Sequence, residues 1–89
     1  MTTEIKWTSG ISGSSMDLHL AAGDSTRTIA AFDLCAHTHN AADGSPQFHW
    51  FFRMPRGSDK PNVSGYAASP LVARNTIQLL TIEHYGVSV

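Results

Sequence analysis

Hydrophobic and polar positions alternate along most of the first two thirds of the chain. Ile5 and Trp7 alternate with Glu4 and Lys6. Met16, Leu18 and Leu20 alternate with Asp17, His19 and Ala21. Phe32, Leu34 and Ala36 share one parity, and Ala31, Asp33, Cys35, His37 and His39 share the other. In a fourth run, Phe48, Trp50, Phe52 and Met54 form the apolar set, while Gln47, His49, Phe51 and Arg53 face away. Side chains on a strand change face at every residue, so this alternation predicts strands with one apolar face. The strands are expected over Thr3–Thr8, Met16–Ala21, Thr28–Thr38 and residues 47–54. Glycine, serine and aspartate separate the first three, and the turn-rich Asn40–Pro46 separates the last two. The stretch Arg27–Pro55 therefore reads as a β-hairpin that holds most of the large apolar side chains.

The apolar faces of that hairpin match when residue 34 pairs with 52, 36 with 50 and 38 with 48. The same register sets His37 opposite His49, Cys35 opposite Phe51 and Asp33 opposite Arg53. A one-residue slip would turn the apolar set outward, so the parity of the register is specified. A slip of two would keep the faces. Pro55 to Gly65, with Pro61 and Gly57 inside it, reads as irregular because proline lacks the ladder donor.

The last third carries helix signals. Ser69-Pro70 supplies a capping hydroxyl and a proline suited to the first helical position, and Gly86 supplies a stop. Val72, Ala73, Thr76, Ile77, Leu80 and His84 fall on one stripe, with Leu79 beside it. The competing signal is the β-branched content of Thr76–Ile82. The expected fold is α+β: one domain over residues 1–89, with a small antiparallel sheet and one C-terminal helix on its Phe32/Leu34/Trp50/Phe52 face. The alternative is an all-β sandwich in which residues 76–89 add strands.

Composition narrows the function more than it names it. Of 89 residues, 42% are hydrophobic and 15% charged, which fits a folded chain rather than a disordered one. A formal net charge of -1 argues against a basic nucleic-acid binder and against an acidic mimic of nucleic acid. One cysteine forms no internal disulfide, which fits a reducing cytoplasm. The N-terminus lacks a signal-peptide pattern, and no apolar run approaches the roughly 18 residues of a membrane span.

The candidate chemistry clusters on the face opposite the apolar one. His37-x-His39 with His49 on the next strand is a candidate zinc set, with Cys35 or His19 as a fourth ligand. Its spacing is similar to the strand-borne His-x-His sites of cupins and α-class carbonic anhydrases; the likeness covers those three residues alone. The plain alternative is a set of histidines on a solvated sheet face. Cys35 with His37 lacks the geometry of a nucleophile and base, because residues two apart on a strand project in parallel. Arg53, Arg56 and Lys60 near aromatic residues suggest a weak single-strand nucleic-acid contact, diluted by Asp59. Phe51 is the odd residue: an aromatic beside His49 and Arg53, away from the core. That composition matches protein–protein interfaces. The leading expectation is a non-enzymatic inhibitor or adaptor, of the kind phages and mobile elements encode. It would use no cofactor and would present His37, His49, Phe51 and Arg53 to a larger protein. A second copy of the chain is a further candidate partner.

Overall fold

The computed structural model describes residues 3–10, 13–22, 25–35 and 47–86. They form five strands and one helix: β1 (Thr3–Ser9), β2 (Ser15–Ala22), β3 (Ser25–Asp33), β4 (Phe48–Phe52), β5 (Val63–Ala67) and α1 (Pro70–Tyr85). The strands make one antiparallel sheet in the order β1-β2-β3-β4-β5, so each strand pairs only with its neighbours in sequence. The architecture is α+β, and residues 76–85 are helical rather than strands of a sandwich.

The alternation read from the sequence sets the two faces. Directly paired residues share a face, and two rows cross all five strands on the inner side. One is Trp7–Leu18–Ala30–Phe52–Val63, the other Ser9–Met16–Phe32–Trp50–Gly65. Large side chains in these rows meet small ones, as at Ala30 beside Phe52 and Gly65 beside Trp50. The indole of Trp50 lies over Gly65 so closely that a Cβ there would stand 3.2 Å from it. Leu18, Ile29, Ala30 and Phe52 are fully buried, and Ala73 and Ile77 of the helix close the same core. Trp7 meets Phe32 edge-on at 5.2 Å, and Tyr85 meets Phe52 edge-on at 5.7 Å. Complete burial of one such side chain contributes roughly 1.5–3 kcal/mol.

The helix is bounded as its sequence predicts. The Ser69 hydroxyl accepts from the Val72 amide at 3.2 Å, and Pro70 occupies the first turn. Gly86 adopts φ 73°, where its amide reaches the Ile82 carbonyl at 3.1 Å. A residue with a side chain is strained in that left-handed region, which is why glycine stops the helix here. The helix backbone lies over β3, β4 and β5 and leaves β1 and β2 outside its cover.

Four expectations need correction. First, β3 runs from Ser25 to Asp33, not from Thr28 to Thr38. Its pairing with β4 is Ala30↔Phe52, Ala31↔Phe51 and Phe32↔Trp50. The parity is the expected one, but the register is displaced by four residues. Pairing with β2 fixes the frame, because β4 must join the part of β3 that β2 already holds. Second, Leu34 is 42% exposed: it lies just past the end of β3, at the margin of the inner face, where it lines a cleft with Trp7, Met16 and Phe32 instead of entering the core. Third, residues Val63–Ala67 form a strand within a region that reads as irregular. Gly65 is tolerated in β5 because the Trp50 ring covers its bare backbone. Fourth, Val72 is 48% exposed, while Thr81 is fully buried. The Thr81 hydroxyl donates to the Ile77 carbonyl at 2.8 Å, so it enters the core with its polar group satisfied.

Candidate functional site

The face of the sheet turned away from the helix carries the candidate surface. A third row crosses the sheet there: Thr8–Asp17–Ala31–Phe51–Ser64. Phe51 is held between Ala31 and Ser64, two small neighbours that leave its ring half-buried. Among the described elements, none is layered over this face; the one helix packs on the other side.

Three further side chains gather around Phe51. The Arg53 guanidinium carbon stands 5.6 Å from the centre of the Phe51 ring, a cation–π distance. Its Nη1 also donates to the Thr28 carbonyl at 3.4 Å, which steadies the side chain along the sheet. His49 pairs with Tyr66 across β4 and β5, and the two rings meet edge-on at 5.3 Å. Tyr66 is 50% exposed. Alternation along β4 sets His49, Phe51 and the following Arg53 on this side, and β5 brings Tyr66 to the same side. The result is a patch with an aromatic centre and a cationic margin. Aromatic and arginine side chains are the residue types that anchor protein interfaces, because each covers much area with little rotamer freedom or offers several donors.

The structure brings some of the residues singled out in the sequence together and not others. His49, Phe51 and Arg53 share one neighbourhood, as the alternation predicts. His37 lies outside the described residues, and the observed register aligns position 33 rather than 37 with His49. Arg53 does not face Asp33: its amide donates to the Ile29 carbonyl at 2.7 Å, four residues back along β3. Cys35 is exposed beyond the end of β3, and Ala31 takes the place opposite Phe51. In the sequence Tyr66 stands only as an aromatic near Arg53, Arg56 and Lys60; its strand carries a glycine and follows a proline-containing loop, so no alternation places it beside Phe51.

Of the zinc set His37, His39 and His49, only His49 belongs to the described residues, and its ring is packed against Tyr66. His19 is not a fourth ligand to His49. It faces Thr28, with Nδ1 3.1 Å from that hydroxyl. Continued into β4, that register leaves His19 two strands and five residues from His49. At about 3.3 Å per residue and about 4.8 Å per strand, the separation is far beyond a shared coordination sphere. Among the described residues, no group of three or more His, Cys, Asp or Glu is placed to hold a metal ion.

The helix bears a second apolar surface. Leu71, Val72, Leu79 and Ile82 are 66%, 48%, 69% and 49% exposed. Two clefts flank the helix. One, of about 350 Å³, lies by its first turn against Trp7, Met16 and Phe32; the other, of about 320 Å³, lies by its last turn against Leu20, Arg27 and Tyr85. No helix among the described residues is long and apolar enough to cross a membrane. No protein family, curated protein or solved structure matches the chain.

Proposed function

We propose that the chain is a non-enzymatic interaction protein whose uncovered sheet face binds a larger protein in the cytoplasm. The observation that carries this reading is the cluster of His49, Phe51, Arg53 and Tyr66 on the face that no described element covers. An adaptor or inhibitor, of the kind mobile elements such as phages encode, fits a domain that offers one rigid sheet face. The sheet supplies the preorganisation: β4 and β5 are paired along their whole length, so the patch is displayed without ordering a loop. Phe51 and Tyr66 act as the anchors, and Arg53 sets the polarity of the partner by favouring acidic or carbonyl-rich contacts.

The test is a capture experiment with the tagged chain, followed by affinity measurement on the protein retained. Tyr66→Ala and Phe51→Ala are each expected to weaken that affinity at least about tenfold, or about 1.4 kcal/mol. Leu79→Glu, on the opposite side of the molecule, serves as the control and leaves it unchanged. Tyr66→Ala also leaves the melting temperature within a few degrees, since half of that side chain faces solvent. Equal capture by all four proteins would remove the patch from consideration.

A further inference from the structure

The second cleft described above lies on the helix side of the sheet, away from the proposed interface. Its position follows from Arg27. That residue pairs with Leu20, so it stands on the inner face, where the other strands place apolar side chains. A guanidinium on an apolar face is costly unless its charge and its donors are matched. Here the matching is incomplete. Nη2 donates to the Met54 carbonyl at 3.0 Å and to the Tyr85 hydroxyl at 3.2 Å, and both acceptors are neutral. Tyr85 in turn donates to the Arg53 carbonyl at 2.7 Å, which fixes its ring and its oxygen. Nε of Arg27 is buried and has no acceptor among the described residues. No ion pair to Arg27 occurs among the described residues.

The cleft holds a second cation. Arg56 lines it with Arg27, and the remaining walls are Leu20, Ser25, Pro55 and Tyr85. Among the described residues no carboxylate lines it. Two arginines, a serine, a tyrosine, a leucine and a proline therefore line about 320 Å³ of space, and most of the lining surface is apolar. That volume and lining are those of a small-molecule site: mostly apolar, with a few convergent polar groups.

We propose that this cleft binds a small organic carboxylate, with the anionic head toward Arg27 and Arg56 and the apolar body along Leu20 and Pro55. A planar carboxylate offers four lone pairs to guanidinium donors and matches their fork geometry. It supplies a negative charge beside Arg27 and Arg56, which no described residue of the cleft wall provides. The apolar wall selects against a bare inorganic anion. The Tyr85 hydroxyl holds Arg27 in place through its hydrogen bond, so it is a positioning group.

The test is titration of the full chain with octanoate, octanol and inorganic phosphate, read by NMR of the arginine Nε–H signals and by melting temperature. Octanoate is expected to saturate, to move the Arg27 Nε–H signal and to raise the melting temperature. Octanol and phosphate are expected to bind at least tenfold more weakly. Arg56 is exposed, so Arg56→Ala folds normally and is expected to weaken octanoate binding at least tenfold. Phe51→Ala, on the other face, leaves it unchanged. The proposal is overturned by equal binding of octanol or of phosphate, by an unmoved Arg27 signal, or by unaltered affinity in Arg56→Ala.

Discussion

Replacing Gly65 by alanine should have opposite effects depending on what stands at residue 50. Two terms compete at this position. Gly65 has no left-handed backbone angle, so alanine is sterically allowed by the main chain. Alanine also restricts the unfolded chain, a gain of roughly 0.5–1 kcal/mol over glycine in a strand. Against that, the new Cβ would stand 3.2 Å from Cζ2 and 3.3 Å from Cε2 of Trp50. The indole is 9% exposed and packed in the core, so it has little room to withdraw. Overpacking of this kind costs about 1–3 kcal/mol. The clash should win, and Gly65→Ala should destabilise the protein by about 1 kcal/mol. In a Trp50→Leu background the ring is gone and only the entropic gain is left. There the same change should stabilise by roughly 0.5–1 kcal/mol. Urea unfolding of the four proteins by circular dichroism measures the coupling, expected at about 1–3 kcal/mol. An effect of Gly65→Ala with the same sign and size in both backgrounds would show that Trp50 does not rest on this glycine.

Other substitutions probe the core and the helix ends. Trp50→Ala should cost about 3–5 kcal/mol, a large part of the roughly 4–13 kcal/mol expected for a domain of this length; a melt within a few degrees of the parent would contradict its placement. Ser69→Ala removes the acceptor for the Val72 amide and should cost about 1 kcal/mol in urea unfolding. Gly86→Ala forces a side chain into φ 73° and should destabilise by about 1 kcal/mol, with alanine at the exposed Asn75 as a control that does not.

The faces of the strands were legible because alternation with period two has one solution when one side is buried. Phe51 and Arg53 emerged from the same argument, as residues of interface type on the wrong parity for the core. The helix was legible from Ser69, Pro70 and Gly86, which act locally. The register of β3 on β4 was not legible, because every even shift sets apolar side chains against one another. The choice depends on β2, a neighbour the hairpin pattern does not contain. A bulge hides the choice further: Leu18 pairs with Ala30 but His19 with Thr28, so Ile29 is an extra residue in β3. Ile29 and Ala30 are consequently buried in succession, and Ala31 is covered beside Phe51 on the outer face, so period two disappears over residues 29–32. The helix stripe holds at Ala73, Ile77, Leu80 and His84, and fails at Val72, which is exposed, and at Thr81, which it leaves out. Leucine and isoleucine occur all round α1, so the margins of the stripe are poorly marked, and the buried Thr81 looks polar in sequence while its hydroxyl is satisfied within its own helix. The place of Tyr66 beside Phe51 is not legible because a glycine-containing strand after Pro61 carries little strand propensity of its own.

The meander has a consequence for the order in which the molecule comes apart. Every strand pair joins neighbours in the chain, and the backbone of α1 lies over the last three strands, reaching β1 through the Arg74 side chain. The hairpin of β1 and β2 is therefore held to the rest by the β2–β3 ladder and by the half-buried Ile5, Trp7, Met16 and Leu20. Trp7 adds its edge contact with Phe32 and the Arg74 guanidinium 5.7 Å from its ring. Detaching β1 breaks one ladder and leaves the helix seated, whereas detaching β4 breaks two ladders and opens the core. Native-state hydrogen exchange should accordingly show a gradient, with amides of β1 exchanging through a partial opening and those of β4 only through global unfolding. Because that opening releases β1 from β2 while the aromatic patch on β4 and β5 stays assembled, the end of the sheet that carries Glu4 and Lys6 can fluctuate without disturbing the end that carries Phe51 and Tyr66.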